Sequence, residues 1–201
     1  MSLVPRNKTI VNRVQRKALL RGICSYRTVS YTATNILSGS PPADLLAEER
    51  KAMFSEKRSA SRCQLSPRAA TMRKWKARIA EAKTGGWSKR LISDVDLWCG
   101  KKGDLDFHTT QILSGHGCFR VYLHRIKKEE SDMFHHCNMS PDSAEHTVVE
   151  CPAWDEERLL LEHATGKLVT VDNLVAHHAG LPRELAGRQR LRQSGDDKNR
   201  R

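Results

Sequence analysis

The sequence predicts a mainly α-helical protein made of several short amphipathic helices, one small hairpin and a disordered basic tail. Apolar residues recur every three or four positions through much of the 201-residue chain, which is the period of an α-helix. Alternation of apolar and polar residues, which is typical of strands, is weak outside residues 134–154. No internal repeat is evident. At this length the chain suits one large domain or two small ones.

The first predicted helix covers residues 8–24 and carries two neighbouring stripes. The apolar stripe comprises Val11, Val14 and Ala18. The basic stripe comprises Arg13, Arg16, Lys17 and Arg21. A solvated charged face is the ordinary explanation of such a basic stripe, and a surface that contacts phosphates is the functional one.

Two further helices are predicted on either side of a turn. Ser30 can cap a short helix that runs to Leu37. Residues 39–42, Gly-Ser-Pro-Pro, end that helix. The second proline of this turn suits the first turn of a helix over residues 43–57.

A fourth helix is predicted over residues 67–83, where Met72, Trp75 and Ile79 share one side. Four cations occupy much of its remaining surface: Arg73, Lys74, Lys76 and Arg78. Trp75 is therefore expected either to cover a base or a sugar, or to anchor the core, which is the commoner role.

Three helical segments are predicted in the middle of the chain. Ser88 is expected to cap a helix over residues 87–100, and Asp106 a short helix that follows. Residues 118–128 show the helical period once more.

Charge is distributed unevenly along the chain. Residues 1–90 hold 20 Lys/Arg against 5 Asp/Glu, whereas residues 91–181 hold 8 against 15. The tail, residues 182–201, holds 7 against 3 and is expected to be disordered. The first half is thus expected to contact a polyanion, RNA or DNA. Its candidate phosphate-binding residues are Arg13, Arg16, Lys17, Arg21, Arg73, Lys74, Lys76 and Arg78.

No segment has the character of a membrane span or an export signal. No apolar run approaches the roughly 20 residues that a spanning helix needs, and Pro5, Arg6 and Lys8 interrupt the start of the chain. We therefore expect no membrane partner, no secretion, and a nuclear or cytoplasmic location. The six cysteines are then expected to be reduced thiols and metal ligands rather than a disulfide framework.

Residues 134–154 contain the constellation that points to specific chemistry. Cys137, His146 and Cys151 have the spacing C-x8-H-x4-C around a turn-forming Ser-Pro-Asp-Ser segment, and Pro152 can open a helix directly afterwards. Two thiolates and an imidazole supply three of the four ligands of a tetrahedral zinc site. The hairpin is therefore predicted to be zinc-knuckle-like. The alternative is an accidental set of Cys and His residues in a helical connector.

The fourth ligand is not evident, because Phe134 stands where a Cys-x2-Cys pair would place its first thiol. His135, two residues before Cys137, is predicted to take that role, and Phe134 to form a small hydrophobic lid. The adjacent His136 is less able to reach the same ion. Three protein ligands and a water would also hold zinc, but more weakly, since structural sites are normally closed.

Three separate stretches of the chain, taken in their order along the sequence, carry a resemblance to a known family. They are VQRKALLRGICSYRTVSYTATNILSGSPPADLLAEER, then FHTTQILSGHGCFRVYLHRI, then the C-x8-H-x4-C-P-x-W pattern. Together they resemble the C-terminal region of insect non-LTR retrotransposon polyproteins, of the clade that inserts into ribosomal DNA and telomeric repeats. The resemblance implies that Cys137, His146 and Cys151 match the last three members of a Cys-Cys-His-Cys knuckle.

Together with the change of charge, the resemblance divides the chain into four parts. They are a basic, helical, thumb-like region at 1–85, a helical connector at 86–130, a zinc-knuckle-like module with following helices at 131–181, and the tail at 182–201. The parent polyprotein that the resemblance implies is an RNA-directed DNA polymerase and endonuclease. This chain has no endonuclease region and no Y-x-D-D carboxylate pair, so no catalytic residues are predicted.

The function expected from these features is that of a nucleic-acid-binding C-terminal segment, with an RNA template or target DNA as its partner. One alternative is a structural segment that packs on the matching polymerase core. The other is a relic that does not fold alone.

Overall fold

The computed structural model describes residues 4–58, 66–101 and 103–175. Within these ranges the protein is mainly helical, which confirms the predicted fold class, and contains no strand. The chain divides into two compact units, Met1–Asp104 and Leu105–Arg201. The boundary predicted near residue 85 thus falls inside the first unit, whereas the predicted disordered tail lies outside the described residues.

The first unit is a group of helices around a small apolar core. Helix α1 packs on α2 and α3, α3 packs on α4, and α2 packs on α5. The most deeply buried side chains of this core are Val29, Ile36, Leu37, Leu45 and Trp75. The helices are α1 (Pro5–Gly22), α2 (Tyr31–Ser38), α3 (Ala43–Arg58), α4 (Pro67–Glu81), α5 (Gly86–Leu91) and α6 (Val95–Lys101).

Local capping signals place several helix starts where the sequence predicts them. Ser30 Oγ accepts a hydrogen bond from Ala33 N at 3.2 Å and thereby caps α2. Pro67 stands in the first turn of α4. Trp75 on that helix is only 1% exposed, so it anchors the core and does not present its ring to a base.

The buried face of α1 differs from the predicted one. Val14, a member of the predicted apolar stripe, is 63% exposed. The side of α1 that meets α3 is instead polar: Asn12 Oδ1 accepts from Asp44 N, and Gln15 Oε1 accepts from Ala43 N. These two amides satisfy backbone N–H groups at the start of α3 that have no partner within their own helix.

The helix predicted over residues 87–100 is interrupted. It forms α5 and α6, and Ser88 lies buried inside α5 instead of capping it. Asp94 starts the second helix, because its Oδ1 accepts from the backbone N–H groups of Asp96 and Leu97 at 2.9 and 3.2 Å. The break lets the apolar residues on both helices remain buried: Leu91, Ile92, Val95 and Trp98.

The second unit consists of short helices around the Cys/His hairpin. Asp106 caps the first of them through Thr109 N at 2.7 Å, as predicted. A single β-bridge between Met133 and Pro141 closes the hairpin. The helical elements are α7 (Phe107–Ser114), α8 (Arg120–Arg125), a π-helical turn (His146–Glu150), a 3-10 turn (Pro152–Trp154) and α9 (Asp155–Thr165).

Each unit contains the same capped helix, and the sequences of the two helices match although no internal repeat was predicted. Residues 34–39 read TNILSG and residues 110–115 read TQILSG. Both helices end at a glycine in the left-handed region, with φ of 63° and 65°. In both, the N–H after that glycine donates to the carbonyl of the Asn or Gln. The matched segment is only six residues long, and the hydrogen bonds show that its two copies also end in the same way.

Candidate metal centre

The structure brings Cys137, His146 and Cys151 together. Their potential ligand atoms all lie within 4.8 Å of one another, and Cys137 Sγ is 3.2 Å from His146 Nε2. Zinc bonds of about 2.0–2.3 Å place tetrahedral ligand atoms about 3–4 Å apart, so the set fits such an ion. Within the described part of the chain, this is the one group of three or more Cys, His or acidic residues that can hold a metal.

A tight turn presents the first thiol. Phe134 N donates to Ser140 O, and Asn138 N donates back to Phe134 O at 2.8 Å. Asn138 adopts a positive φ of 52°, which asparagine tolerates better than most residues. Met139 N then points at Cys137 Sγ from 3.5 Å. The backbone of the turn therefore supplies a donor that favours a thiolate.

The π-helical turn places the imidazole and the second thiol. Ser143 Oγ accepts from His146 N, and Cys151 N donates to His146 O at 2.7 Å. Glu150 Oε2 lies 3.6 Å from His146 Nδ1, on the opposite side of the ring from Cys137. A carboxylate behind a ligating imidazole orients the ring and favours the tautomer whose Nε2 is free to bind a metal. The H-x3-E spacing from His146 to Glu150 places the two side chains one helical turn apart. It could have indicated Glu150 as the partner of the imidazole, but Glu150 was not predicted.

The two thiols are not equivalent. Hydrogen bonding from Met139 N, aided by His146, lowers the pKa of Cys137 to about 7. Burial raises the pKa of Cys151, which is fully enclosed. Cys137 is thus the thiol that ionises more easily before a cation arrives.

Two residues outside the ligand set hold the hairpin in place. Asp142 is buried, and its carboxylate accepts from Arg120 N at 3.0 Å and from Thr147 Oγ1 at 2.7 Å. This carboxylate therefore joins the start of α8 to the π-helical turn. Arg158 on α9 donates to the Cys151 carbonyl at 2.6 Å. Asp142 belongs to the Ser-Pro-Asp-Ser turn and Cys151 is a predicted ligand, but no motif identifies their partners Arg120, Thr147 and Arg158.

The structure does not place His135 with the other three residues. His135 is exposed, and its Nε2 contacts the guanidinium of Arg120, which also bonds Glu129 at 2.7 Å. The prediction that His135 supplies the fourth ligand is therefore not confirmed, because its ring is turned towards α8.

Phe134 forms the expected lid. It is 7% exposed and packs with Cys151 and Trp154 in one apolar cluster, with Cys137 against it. Its ring also lies edge-on to His146, with 5.7 Å between the ring centroids. Apolar side chains thus occupy the side of the centre where a Cys-x2-Cys pair would bring its first thiol.

Four of the eight candidate phosphate-binding residues are engaged inside the first unit. Arg78 donates two hydrogen bonds to Asp44, at 2.9 and 2.8 Å. Arg16 donates to two backbone carbonyls in the link before α2. Lys74 pairs with Glu48 at 2.8 Å, and Lys76 pairs with Asp96.

The other four candidates, Arg13, Lys17, Arg21 and Arg73, are exposed. In the part of the chain that the structure describes, none of these four takes part in an ion pair. Residues 1–104 contain 22 Lys/Arg against 8 Asp/Glu, whereas residues 105–175 contain 6 against 12. The surface best suited to a polyanion therefore lies on the first unit, and the metal centre lies within the acidic stretch of residues 105–175.

Comparison with known proteins identifies no relative: no family model, curated protein or solved structure matches the chain. Among the described helices, none has both the length and the apolar character required to cross a membrane. Any functional assignment therefore depends on the charge distribution and on the geometry of the candidate site.

Proposed function

We propose that the protein binds the phosphate backbone of RNA or DNA through its first unit, and that a zinc ion holds the hairpin of the second unit. The observation that carries the proposal is the set of exposed cations on α1 and α4 that form no ion pair with any other residue that the structure describes. Arg and Lys contacts to phosphates supply affinity without reading sequence. In terms of the resemblance, the protein would be the nucleic-acid-binding C-terminal segment of a retrotransposon polyprotein.

The arrangement of α1 supports this proposal. Arg13, Lys17 and Arg21 are spaced four residues apart, so they share one side of the helix over about 12 Å. The opposite side of α1 is bonded to α3 through Asn12 and Gln15. The three cations are thus held outward on a helix whose orientation is set by the core.

The chemistry of the donor set supports zinc. Two thiols and one imidazole form a soft set that suits zinc better than magnesium or calcium. When bound, zinc would cross-link the turn at Cys137 to the π-helical turn that carries His146 and leads into Cys151. The described residues supply three ligands, so a water or an added ligand would complete the shell.

The nucleic-acid proposal predicts a steep dependence of affinity on salt. Binding of the full chain to single-stranded RNA and to duplex DNA is measured over a series of salt concentrations. We expect Arg13/Lys17/Arg21→Ala to reduce the slope of log K against log salt by about 2–3, since each lost phosphate contact removes close to one unit.

The control triple variant is Arg68/Lys74/Lys76→Ala, which removes the same charge from cations that already pair with Glu49, Glu48 and Asp96. Its slope should change less than that of the α1 variant. Binding that ignores salt, or equal slopes for the two variants, would contradict the proposed surface.

The metal proposal is tested by native mass spectrometry of the purified chain. We expect one zinc per chain, lost in Cys137→Ser and in Cys151→Ser. His135→Ala should retain the ion, because His135 faces Arg120. Loss of zinc in His135→Ala would show that this residue is a ligand after all.

A further inference from the structure

Helix α1 exposes a face that mixes cations with apolar residues. Ile10 is 48% exposed and Val14 is 63% exposed. Both residues lie three or four positions from cations of α1, so they share one face of the helix with those cations. The outer face of α1 comprises Arg6, Ile10, Arg13, Val14, Lys17 and Arg21. Phosphate contacts make use of the cations but leave the two apolar side chains without a partner.

The orientation of α1 is fixed from its other side. Gln15 donates to the carbonyl of Pro41 at 2.7 Å and accepts from Ala43 N and from the Tyr31 hydroxyl. Asn12 exchanges hydrogen bonds with Asp44 in both directions. Turning α1 to bury Ile10 and Val14 would break these part-buried hydrogen bonds and leave the Asn12 and Gln15 amides without their partners. The outer face is therefore a stable surface.

Helix α9 exposes a face of opposite charge. Leu159 is 61% exposed and Leu160 is 65% exposed, whereas Leu161 is buried on the other side of the helix. Glu156 precedes the two exposed leucines by three and four residues and therefore lies between them on the helix surface. The outer face of α9 comprises Asp155, Glu156, Leu159, Leu160 and His163. Asp155 pairs with Arg158 of the same helix, so Glu156 is the negative charge available to a partner.

We infer that the outer face of α9 in one protomer docks against the outer face of α1 in a second protomer. Each face carries two exposed apolar side chains beside charges, and the signs of those charges are opposite. The first unit is basic, with 22 Lys/Arg against 8 Asp/Glu in residues 1–104, whereas residues 105–175 around α9 are acidic, with 6 against 12. Burial of Leu159 and Leu160 against Ile10 and Val14 would remove apolar surface from water on both partners.

The strength of this contact follows from its size and charge. Two single helix faces form a contact at or below the small end of specific interfaces. The association is therefore weak, and salt reduces it because ion pairs at its rim steer and hold the partner. The inference does not depend on nucleic-acid binding. It uses Arg13, Lys17 and Arg21, however, so RNA or DNA bound to α1 would compete with the second protomer.

The test is sedimentation velocity of the full chain without nucleic acid, over a range of protein and salt concentrations. We expect the average mass to rise with protein concentration at low salt and to fall towards the monomer at high salt. Lys17→Glu and Glu156→Lys should each weaken self-association about tenfold or more. An equimolar mixture of the two variants should associate again, because each reversed charge then meets its complement in the other protein.

Two further variants separate docking from general effects of charge and folding. Asp172→Lys, an exposed position outside both faces, changes the charge as Glu156→Lys does and should leave association unchanged. Leu160→Asn removes apolar surface without changing charge and should weaken association with an unaltered circular dichroism spectrum. A monomer at every concentration overturns the inference, as does a mixture of Lys17→Glu and Glu156→Lys that fails to associate. If the protein still bound RNA in a salt-dependent manner in either case, the proposed nucleic-acid-binding function would not be contradicted.

Discussion

Asp44 shows how one buried charge organises the first unit. Its carboxylate accepts two hydrogen bonds from Arg78 and one from Asn12. Burial alone would raise the pKa of Asp44, but the hydrogen bonds from Arg78, and then from Asn12, outweigh it and lower that pKa. Helices α1, α3 and α4 therefore meet at a single ionised side chain.

Replacing Asp44 by Asn should lower the free energy of unfolding by about 2 kcal/mol at pH 7, since Arg78 loses its charged partner but is 41% exposed, so that water screens part of the loss. The folded pKa of Asp44 is below its unfolded value, so its contribution is present above the unfolded pKa and is lost as the pH falls through the folded pKa. The difference between wild type and Asp44→Asn should therefore shrink below about pH 4. Urea unfolding of both proteins at several pH values measures this difference in the free energy of unfolding.

The matched control is Asp96→Asn. Asp96 also pairs with a cation on α4, but that pair is exposed. Exposed pairs contribute little to stability, so the unfolding curve should hardly change. Equal losses for Asp44→Asn and Asp96→Asn would contradict the role assigned to the buried carboxylate.

Glu150 is the second residue whose role can be tested alone. Glu150→Gln removes the charge behind His146 Nδ1 and should weaken zinc binding about tenfold. The affinity is measured by competition with a chromophoric chelator. Glu157→Gln, on the first turns of α9, removes the same charge elsewhere in the unit and should leave the affinity unchanged.

At the scale of elements, the turn after α7 depends on one glycine. Gln111 Oε1 accepts from Cys118 N at 3.1 Å and so satisfies the backbone that leads into α8. Gly117 has a φ of 113°, and a Cβ built there would lie 1.9 Å from that same oxygen. The turn thus requires both the backbone freedom and the missing side chain of glycine.

Gly117→Ala should destabilise the second unit by about 2 kcal/mol or more, because it combines backbone strain with the loss of the Gln111 hydrogen bond. Gly22→Ala is the control: it lies at the end of α1 with no atom within 4 Å of a built Cβ. That variant should be neutral or slightly stabilising. Thermal unfolding followed by circular dichroism compares the two, and similar melting temperatures would refute the steric argument.

At the scale of the whole molecule, the two units are expected to differ in what stabilises them. The first unit has a core of side chains with almost no exposure, such as Trp75 and Leu37. The described part of the second unit also buries Leu113 and Leu174, but its helices are short and its hairpin is closed by one β-bridge. A small unit of this kind commonly depends on a metal for its stability.

Metal removal should therefore disturb the second unit selectively. Trp154 lies in the apolar cluster beside the metal centre, whereas Trp75, Trp87 and Trp98 belong to the first unit. In protein labelled with 5-fluorotryptophan, a chelator should shift or broaden the 19F signal of Trp154 and leave the other three signals in place. Trp154→Phe assigns the signal, and a change in all four signals would contradict selective stabilisation.

Local features of this protein were predictable from its sequence because their causes act within a few residues. Ser30 and Asp106 each cap a helix through a backbone N–H three positions away. Likewise, a turn and close spacing bring Cys137, His146 and Cys151 together. The mainly helical class follows from the same short-range periodicity.

Tertiary structure alone decided which side of α1 faces the core, where His135 points and which cations stay exposed with no ion pair among the described residues. These features depend on contacts between residues far apart in sequence: Asn12 bonds Asp44 across 32 positions, and Arg78 bonds Asp44 across 34. Polar side chains of α1 face the core because the start of α3 needs hydrogen-bond partners. Short-range sequence patterns do not identify such distant partners. The contacts inside the first unit could therefore not be predicted from the sequence.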